Sequence, residues 1–154
     1  VSTAPAWPTV ELDPVARLRA LAASLPWVGF GERLIEAPFA RVWSYIDDME
    51  GGVPQFEGNV RRLEILARAG ERLRLRSTGP LGLPMQLDAV LRPGWCVMRS
   101  WAGEIGMAAA PAGSGATRVA HFEGSRRLGR IARPLFRRFV ERDLRRLAAL
   151  AEGR

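Results

Sequence analysis

Between Glu71 and Thr78 the chain reads ERLRLRST, with Leu73 and Leu75 alternating with Arg72, Arg74 and Arg76. A period of two puts the leucines on one face of an extended segment and the arginines on the other, so this stretch is a half-buried strand and not a helix. Its neighbours follow the same rule. Upstream, VRRLEILAR places Leu63, Ile65 and Ala67 on one face, and Ala69-Gly70-Glu71 supplies a turn. Downstream, Met85, Leu87, Ala89 and Leu91 alternate with Gln86, Asp88 and Arg92. Arg92-Pro93-Gly94 then turns into WCVMRSW, Gly103 into EIGMAAA, and PAGSG into ATRVAHFEGS. Six short strands joined by tight turns predict an antiparallel meander.

Helical periods flank the meander. Asp13-Pro14 offers an N-cap followed by Pro at the first helical position, and Val15, Leu18, Leu21, Ala22 and Leu25 recur at helical spacing. A short amphipathic helix is therefore expected over residues 14–25, after a loose lead-in over residues 1–11. From Gly31 the stretch GERLIEA predicts a first strand, closed at Ala37-Pro38 because the residue before Pro favours extended geometry. Phe39, Val42, Trp43 and Ile46 then form one apolar stripe, with Ala37 as a poor N-cap. Gly51-Gly52 stops that helix, and VPQFEGN predicts a second short turn. After Pro134, the residues Leu135, Phe136, Phe139, Leu147 and Leu150 fall on one arc of a long helix that Gly153 ends.

The 154 residues suit one domain, preceded by an N-terminal extension over residues 1–30. No apolar run reaches the ~20 residues of a membrane span, no signal peptide is evident, and a cytoplasmic location is the simplest expectation. Lone Cys96 rules out an internal disulfide, and with a single His121 it excludes a Cys/His zinc site. All 23 basic residues are Arg, a habit of GC-rich genomes. The net charge of +7 arises entirely within Ser125–Arg146; the rest of the chain is balanced.

An α+β chain ordered as strand, two short helices, six antiparallel strands and a long C-terminal helix suits a bent sheet with that helix laid across it. Four stretches carry a likeness: APFARVWSYIDDMEGGVPQF, VRRLEILARAGERLRLR, TRVAHFEGS and GRIARPLFRRFVERDLRRLAALAEG. In these, about residues 31–152 of a domain expected over 31–154 resemble the SRPBCC (START-like) superfamily, in particular its polyketide cyclase/dehydrase-like branch. The resemblance implies a helix-grip fold, a curved antiparallel sheet of about seven strands. It also implies a cavity between the sheet and the C-terminal helix that holds a hydrophobic small molecule such as a lipid, polyketide or other ring compound. The alternative it implies is a polyketide aromatase/cyclase or dehydratase acting on a carrier-bound substrate.

Within that frame Leu63, Leu73, Leu75, Met85 and Leu87 form an apolar wall. On the last strand Thr117, Val119, His121 and Glu123 share a face opposite Arg118, Ala120 and Phe122; alternation leaves either face inward, and the resemblance implies the His121 face. His121 and Glu123 are the candidates for a catalytic acid or base, and are more simply explained as a hydrogen-bonded polar pair in an apolar core. Asp143 falls in the middle of the apolar arc of the last helix, where a charge needs a partner: Arg142, Arg146, a strand residue or a ligand. Tyr45, Phe56, Asn59 and Phe139 complete the expected ligand-contacting set with Leu75, Met85, Leu87, Val119, His121, Glu123 and Asp143. Asn59 stands where polyketide cyclase-like relatives carry a pocket aromatic, and Leu87 and Leu91 stand at pocket Trp and Arg positions. These departures favour a binder over a cyclase.

No cofactor is expected, and the spacing of Asp and Glu suggests no metal cluster. Arg130, Arg133, Arg137, Arg138, Arg142, Arg145 and Arg146 predict a basic outer surface on the last helix. Such a face is either simply solvated or meets an acidic partner, an acyl carrier protein or an anionic membrane. Nucleic acid ranks third, since no aromatic stacking platform accompanies the arginines.

Overall fold

The computed structural model describes residues 9–154. The expected lead-in over residues 1–11 therefore lies outside the described residues for its first eight positions. Helix α1 (Pro14–Ala23) is followed by strand β1 (Val28–Ile35) and helices α2 (Phe39–Asp47) and α3 (Val53–Phe56). Strands β2 (Arg62–Ala69), β3 (Arg72–Thr78), β4 (Pro84–Arg92), β5 (Trp95–Arg99), β6 (Gly103–Pro111) and β7 (Thr117–Ser125) come next. A single 3-10 turn, Gly129–Ala132, leads into helix α4 (Arg133–Glu152). All seven strands pair antiparallel in the order β1-β7-β6-β5-β4-β3-β2. The six-strand meander, the helix pair and the closing helix are all present, and together they make the helix-grip fold.

The sheet has two covered faces, and alternation decides which residue goes to which. On the concave face Leu63, Leu75, Leu87, Met98, Met107 and Val119 pack with Val42, Ile46 and Phe56 from the helix pair and with Val140, Leu144 and Leu147 of α4. None of the buried residues in this cluster is more than 7 % exposed, so side chains fill the space beneath α4. On the convex face α1 lays Val15, Leu18 and Ala22 over Val28, Ala108, Ala120 and Phe122. The N-terminal helix thus lies behind the sheet. Phe122 points away from α4 and is still fully buried, under α1. Gly106 makes room for its ring, because a Cβ there would lie 2.3 Å from Phe122 Cε1.

Several boundaries differ from the sequence reading. Strand β1 starts at Val28, not Gly31, because Val28 and Phe30 pair with Gly124 and Phe122 and pack beside α1. Helix α1 ends at Ala23, where Ser24 caps it. The N-cap of α2 is Pro38, not Ala37, and it offers no side-chain bond; Val42, Trp43 and Ile46 hold the helix by burial instead. In β2 only Leu63 is buried: a bulge between Ile65 and Ala67 breaks the alternation of this edge strand. Helix α4 is rotated from the predicted arc. Its buried stripe is Val140, Asp143, Leu144, Leu147, Ala148 and Ala151, and Leu135 is exposed.

Candidate functional site

A buried polar cluster lies where α3, β7 and α4 converge. Its first members come from the link between α3 and β2. Gly52 lets α3 fold back on α2, since a Cβ there would meet the Tyr45 carbonyl at 2.3 Å. Phe56 buries its ring, and the chain then delivers Glu57, Gly58 and Asn59 under α4. His121 and Glu123 reach the same point from the concave face of β7, and Asp143 from the buried stripe of α4. Arg142 turns inward as well.

The bonds are specific. His121 Nδ1 lies 2.9 Å from the carbonyl oxygen of Gly106. A carbonyl only accepts, so Nδ1 carries the proton and Nε2 faces the carboxylates. Glu57 Oε2 is 3.2 Å from Nε2 and Asp143 Oδ2 is 3.8 Å away. Asp143 Oδ1 accepts from Arg142 Nε at 2.8 Å and from the Gly58 amide at 3.2 Å. Asn59 Nδ2 donates to Glu123 Oε1 at 2.7 Å. The Arg142 guanidinium lies against Gly58, where a Cβ would be 2.3 Å from Nη2, and over the Phe139 ring at 5.0 Å. Buried atoms nevertheless stay without a hydrogen-bond partner: both Glu57 oxygens, His121 Nε2, Glu123 Oε2, Arg142 Nη2 and Asp143 Oδ2.

Proton affinities follow from this crowding. Burial alone would push the His121 imidazole down, but the Asp143 and Glu57 carboxylates outweigh it and hold it up at about 10. Burial pushes Glu123 up to about 8, helped by the charge of Glu57. Glu57 is likewise raised, chiefly by burial. Asp143 goes the other way: burial opposes ionisation, but the nearby His121 imidazole and the bond from Arg142 hold it down at about 2. One acid is thus kept ionised and two are biased towards protonation, all around a single imidazole.

Of the residues expected from sequence, the fold brings together Asn59, His121, Glu123 and Asp143, with Phe139 at the rim beneath Arg142. Phe56 lies in the core one residue before Glu57. Leu75, Leu87 and Val119 are concave-face core, and Met85 is half-buried opposite Ser77. Tyr45 points elsewhere: its hydroxyl donates to the Leu150 carbonyl at 3.4 Å, linking α2 to α4. One member escaped the sequence reading: Glu57 follows a four-residue helix too short to show a period. Of the candidate partners of Asp143, Arg142 is the one bonded to it, so it leaves the outer basic face. The fold also gathers what the spacing of Asp and Glu did not suggest: Glu57, His121, Glu123 and Asp143 each offer an atom that could ligate a metal ion, and these atoms lie within 4.8 Å of one another.

Open recesses lie away from the cluster. One, of about 770 Å³, is a groove on the convex side bordered by Leu21, Trp95, Val97, Arg72 and Arg74. Among the described residues no helix is long and apolar enough to cross a membrane.

No family model and no curated protein sequence matches the chain. Solved structures do. A Thermus thermophilus protein shares 23% identity at a TM-score of 0.63, covering 82% of this chain and 97% of its own. A START superfamily protein from Mycobacterium smegmatis aligns at 18% identity and TM-score 0.54, over 82% of this chain and 95% of its own. The fold is START-like. The Zhui aromatase/cyclase of a Streptomyces shares it too, at 17% identity and TM-score 0.59, over 82% of this chain and 94% of its own. The START-like, polyketide cyclase-like expectation therefore holds for the fold, and chemistry has to be argued from this chain's own residues.

Proposed function

We propose that this START-like domain binds a hydrophobic small molecule that carries one polar, hydrogen-bonding end. The observation that carries this reading is the set of buried, unpartnered polar atoms under the grip helix. Removing such groups from water without partners is costly, typically 1–3 kcal/mol each, and a bound polar group recovers that loss. Asn59, Phe139 and Arg142 are half-buried and form the rim by which a ligand would enter. The apolar body would displace or part the side chains beneath α4, so uptake involves movement of α3 or α4.

Aromatase/cyclase or dehydratase chemistry is the second reading. An imidazole between two carboxylates can donate a proton at one atom of a substrate while a neighbouring carboxylate accepts one from another. The likeness to an aromatase/cyclase fold supports this in general terms.

The basic face of α4 suits an anionic partner. Arg133, Arg137, Arg138, Arg145 and Arg146 are exposed, whereas Arg142 is not free to serve there. Exposed Leu128, Ile131 and Leu135 adjoin the arginines, a mixture that favours an anionic lipid surface over an acyl carrier protein.

Native mass spectrometry of protein purified from its own host tests the binding reading. A co-purifying lipophile, weakened in Glu123→Gln, is the expected result. Finding none, together with no uptake from a panel of fatty acids and aromatic polyketides, would remove the reading. Turnover lost in His121→Ala with binding retained would favour the enzyme.

A further inference from the structure

The buried cluster also has the composition and geometry of a metal centre. We propose that Glu57, His121, Glu123 and Asp143 bind one divalent transition-metal ion, with Zn²⁺ the best match. The proposal concerns the cluster itself and does not depend on the lipophile reading.

Geometry supports it first. A tetrahedral ion with bonds of about 2.0–2.1 Å holds its ligand atoms roughly 3.4 Å apart. The separations of 3.2 Å from His121 Nε2 to Glu57 and 3.8 Å to Asp143 bracket that spacing. Glu123 completes a set of four within 4.8 Å, a distance a small side-chain rotation closes.

The imidazole is already arranged as a ligand. Its Nδ1 proton is committed to the Gly106 carbonyl, which leaves Nε2 aimed at the carboxylates and able to ligate once its own proton is displaced. Glu57 supplies an independent sign. It is 0 % exposed, yet neither oxygen has a hydrogen-bond partner. Arg142 is bonded to Asp143, so the nearest cationic group within the chain is the His121 imidazole at 3.2 Å, the position a metal ion would share. Metal binding displaces the protons of its ligands; three carboxylates, one arginine and a neutral imidazole then sum to two negative charges, the charge a divalent ion cancels.

Outer bonds hold three of the four ligands in place. Gly106 orients His121, Asn59 orients Glu123, and Arg142 with the Gly58 amide orients Asp143. Such supporting bonds are a usual companion of metal ligands.

The donor set selects the class of ion. One imidazole and three carboxylates in a water-poor site suit Mn²⁺ through Zn²⁺. Mg²⁺ retains several waters in an octahedron and Ca²⁺ takes six to eight oxygens, which four converging side chains do not provide. Four protein ligands favour tetrahedral Zn²⁺, with Co²⁺ as its spectroscopic substitute.

The test uses the full chain, stripped with a chelator and then titrated with Zn²⁺ or Co²⁺. Expected are one ion per chain, a four-coordinate visible band for Co²⁺, and X-ray absorption of the Zn²⁺ form showing one imidazole among oxygen donors. Glu57→Gln and His121→Ala should each weaken binding by more than about tenfold. Glu104→Gln should not, since that buried carboxylate lies apart, bonded to Trp27 and Arg126. Absence of stoichiometric uptake by the unmutated chain, or a first shell without imidazole, overturns the proposal even if a variant fails to fold. Undiminished uptake by both folded variants overturns it as well. Lipophile binding is measured separately on the metal-stripped chain, so either reading can fail while the other stands.

Discussion

Gly29 of β1 lies against the backbone of Arg137 of α4: a Cβ at Gly29 would be 2.2 Å from the Arg137 nitrogen. Strand and helix are therefore in main-chain contact, and this crossing fixes how closely α4 grips the sheet. Asp143 sits six residues further along the same helix, so its depth in the core depends on that contact. Glycine is required here for its lack of a side chain and not for its backbone freedom.

Gly29→Ala should accordingly push α4 off β1 and lower the unfolding free energy by roughly 1–3 kcal/mol, the usual effect of overpacking a tight core. Gly31→Ala should do less, because its Cβ would meet a side-chain methyl of Val140 at 3.1 Å and not backbone. Urea unfolding of the two variants measures the order. A Gly29→Ala loss no larger than that of Gly31→Ala would show that the crossing is looser than described.

Most of the scaffold was legible in the residues, and the reasons are local. The Leu73/Leu75 alternation, the Asp13-Pro14 start of α1 and the Gly153 end of α4 are each decided within a few neighbours. Gly153 adopts φ 72°, the left-handed geometry that ends helices, as its identity suggests. The rotation of α4 was not legible. Large apolar residues such as Leu135 drew the predicted arc, while burial followed the sheet's extent and chose Val140, Ala148 and Ala151. The site was half legible. His121, Glu123, Asn59 and Asp143 stand out as polar residues in apolar surroundings. Glu57 does not, because only the fold-back at Gly52 carries it under α4. The need of Asp143 for a partner was legible, but long flexible side chains left Arg142 and Arg146 equally able to meet it; the structure chooses Arg142.

In metal-free protein the two flanking carboxylates should respond with opposite signs. Asp143 accepts from Arg142 and Gly58, so Asp143→Ala strands a buried guanidinium and an amide and should cost about 3 kcal/mol or more. Glu57 has no hydrogen-bond partner, and burial biases it towards its neutral form. Glu57→Gln keeps its shape and is neutral at every pH, so stability should hold or rise. Chemical unfolding in the presence of a chelator decides this. A large loss in Glu57→Gln would mean that its charge is already compensated within the chain.

Helix α1 depends on Asp13, whose Oδ1 accepts from the Ala16 amide at 2.9 Å and whose Oδ2 meets Arg118 at 2.5 Å. The Ala16 bond, with Arg118 assisting, holds the carboxyl below its ordinary value. Asp13→Ala should cost about 1 kcal/mol, and Asp13→Asn less, since the amide oxygen still caps. A depressed carboxyl contributes its stability above the unfolded value, near 3.9, and loses it as pH falls through the folded one. The gap between the native chain and Asp13→Ala should therefore narrow below about pH 4. A gap unchanged down to pH 2 would show that charge has no part in the cap.

Cys96 gives a prediction at the alkaline end. Its thiol is buried on the concave face beneath α4, and burial pushes it up to about 12. A native thiol so placed is neither ionised nor reachable at pH 8, so a disulfide reagent should label it only as fast as the chain unfolds. Linkage fixes the sign. The folded state holds this proton more tightly than the unfolded state, whose thiol titrates near 8.5, so the Cys96 contribution is complete below that pH. It declines towards pH 12 by up to about 1.4 kcal/mol per pH unit. The chain contains no Lys, which removes the side chain that usually obscures such a measurement. The stability difference between the native chain and Cys96→Ala should shrink steadily above pH 9. Rapid labelling of folded protein at pH 8, or a difference that stays level to pH 11, would place the thiol in contact with solvent.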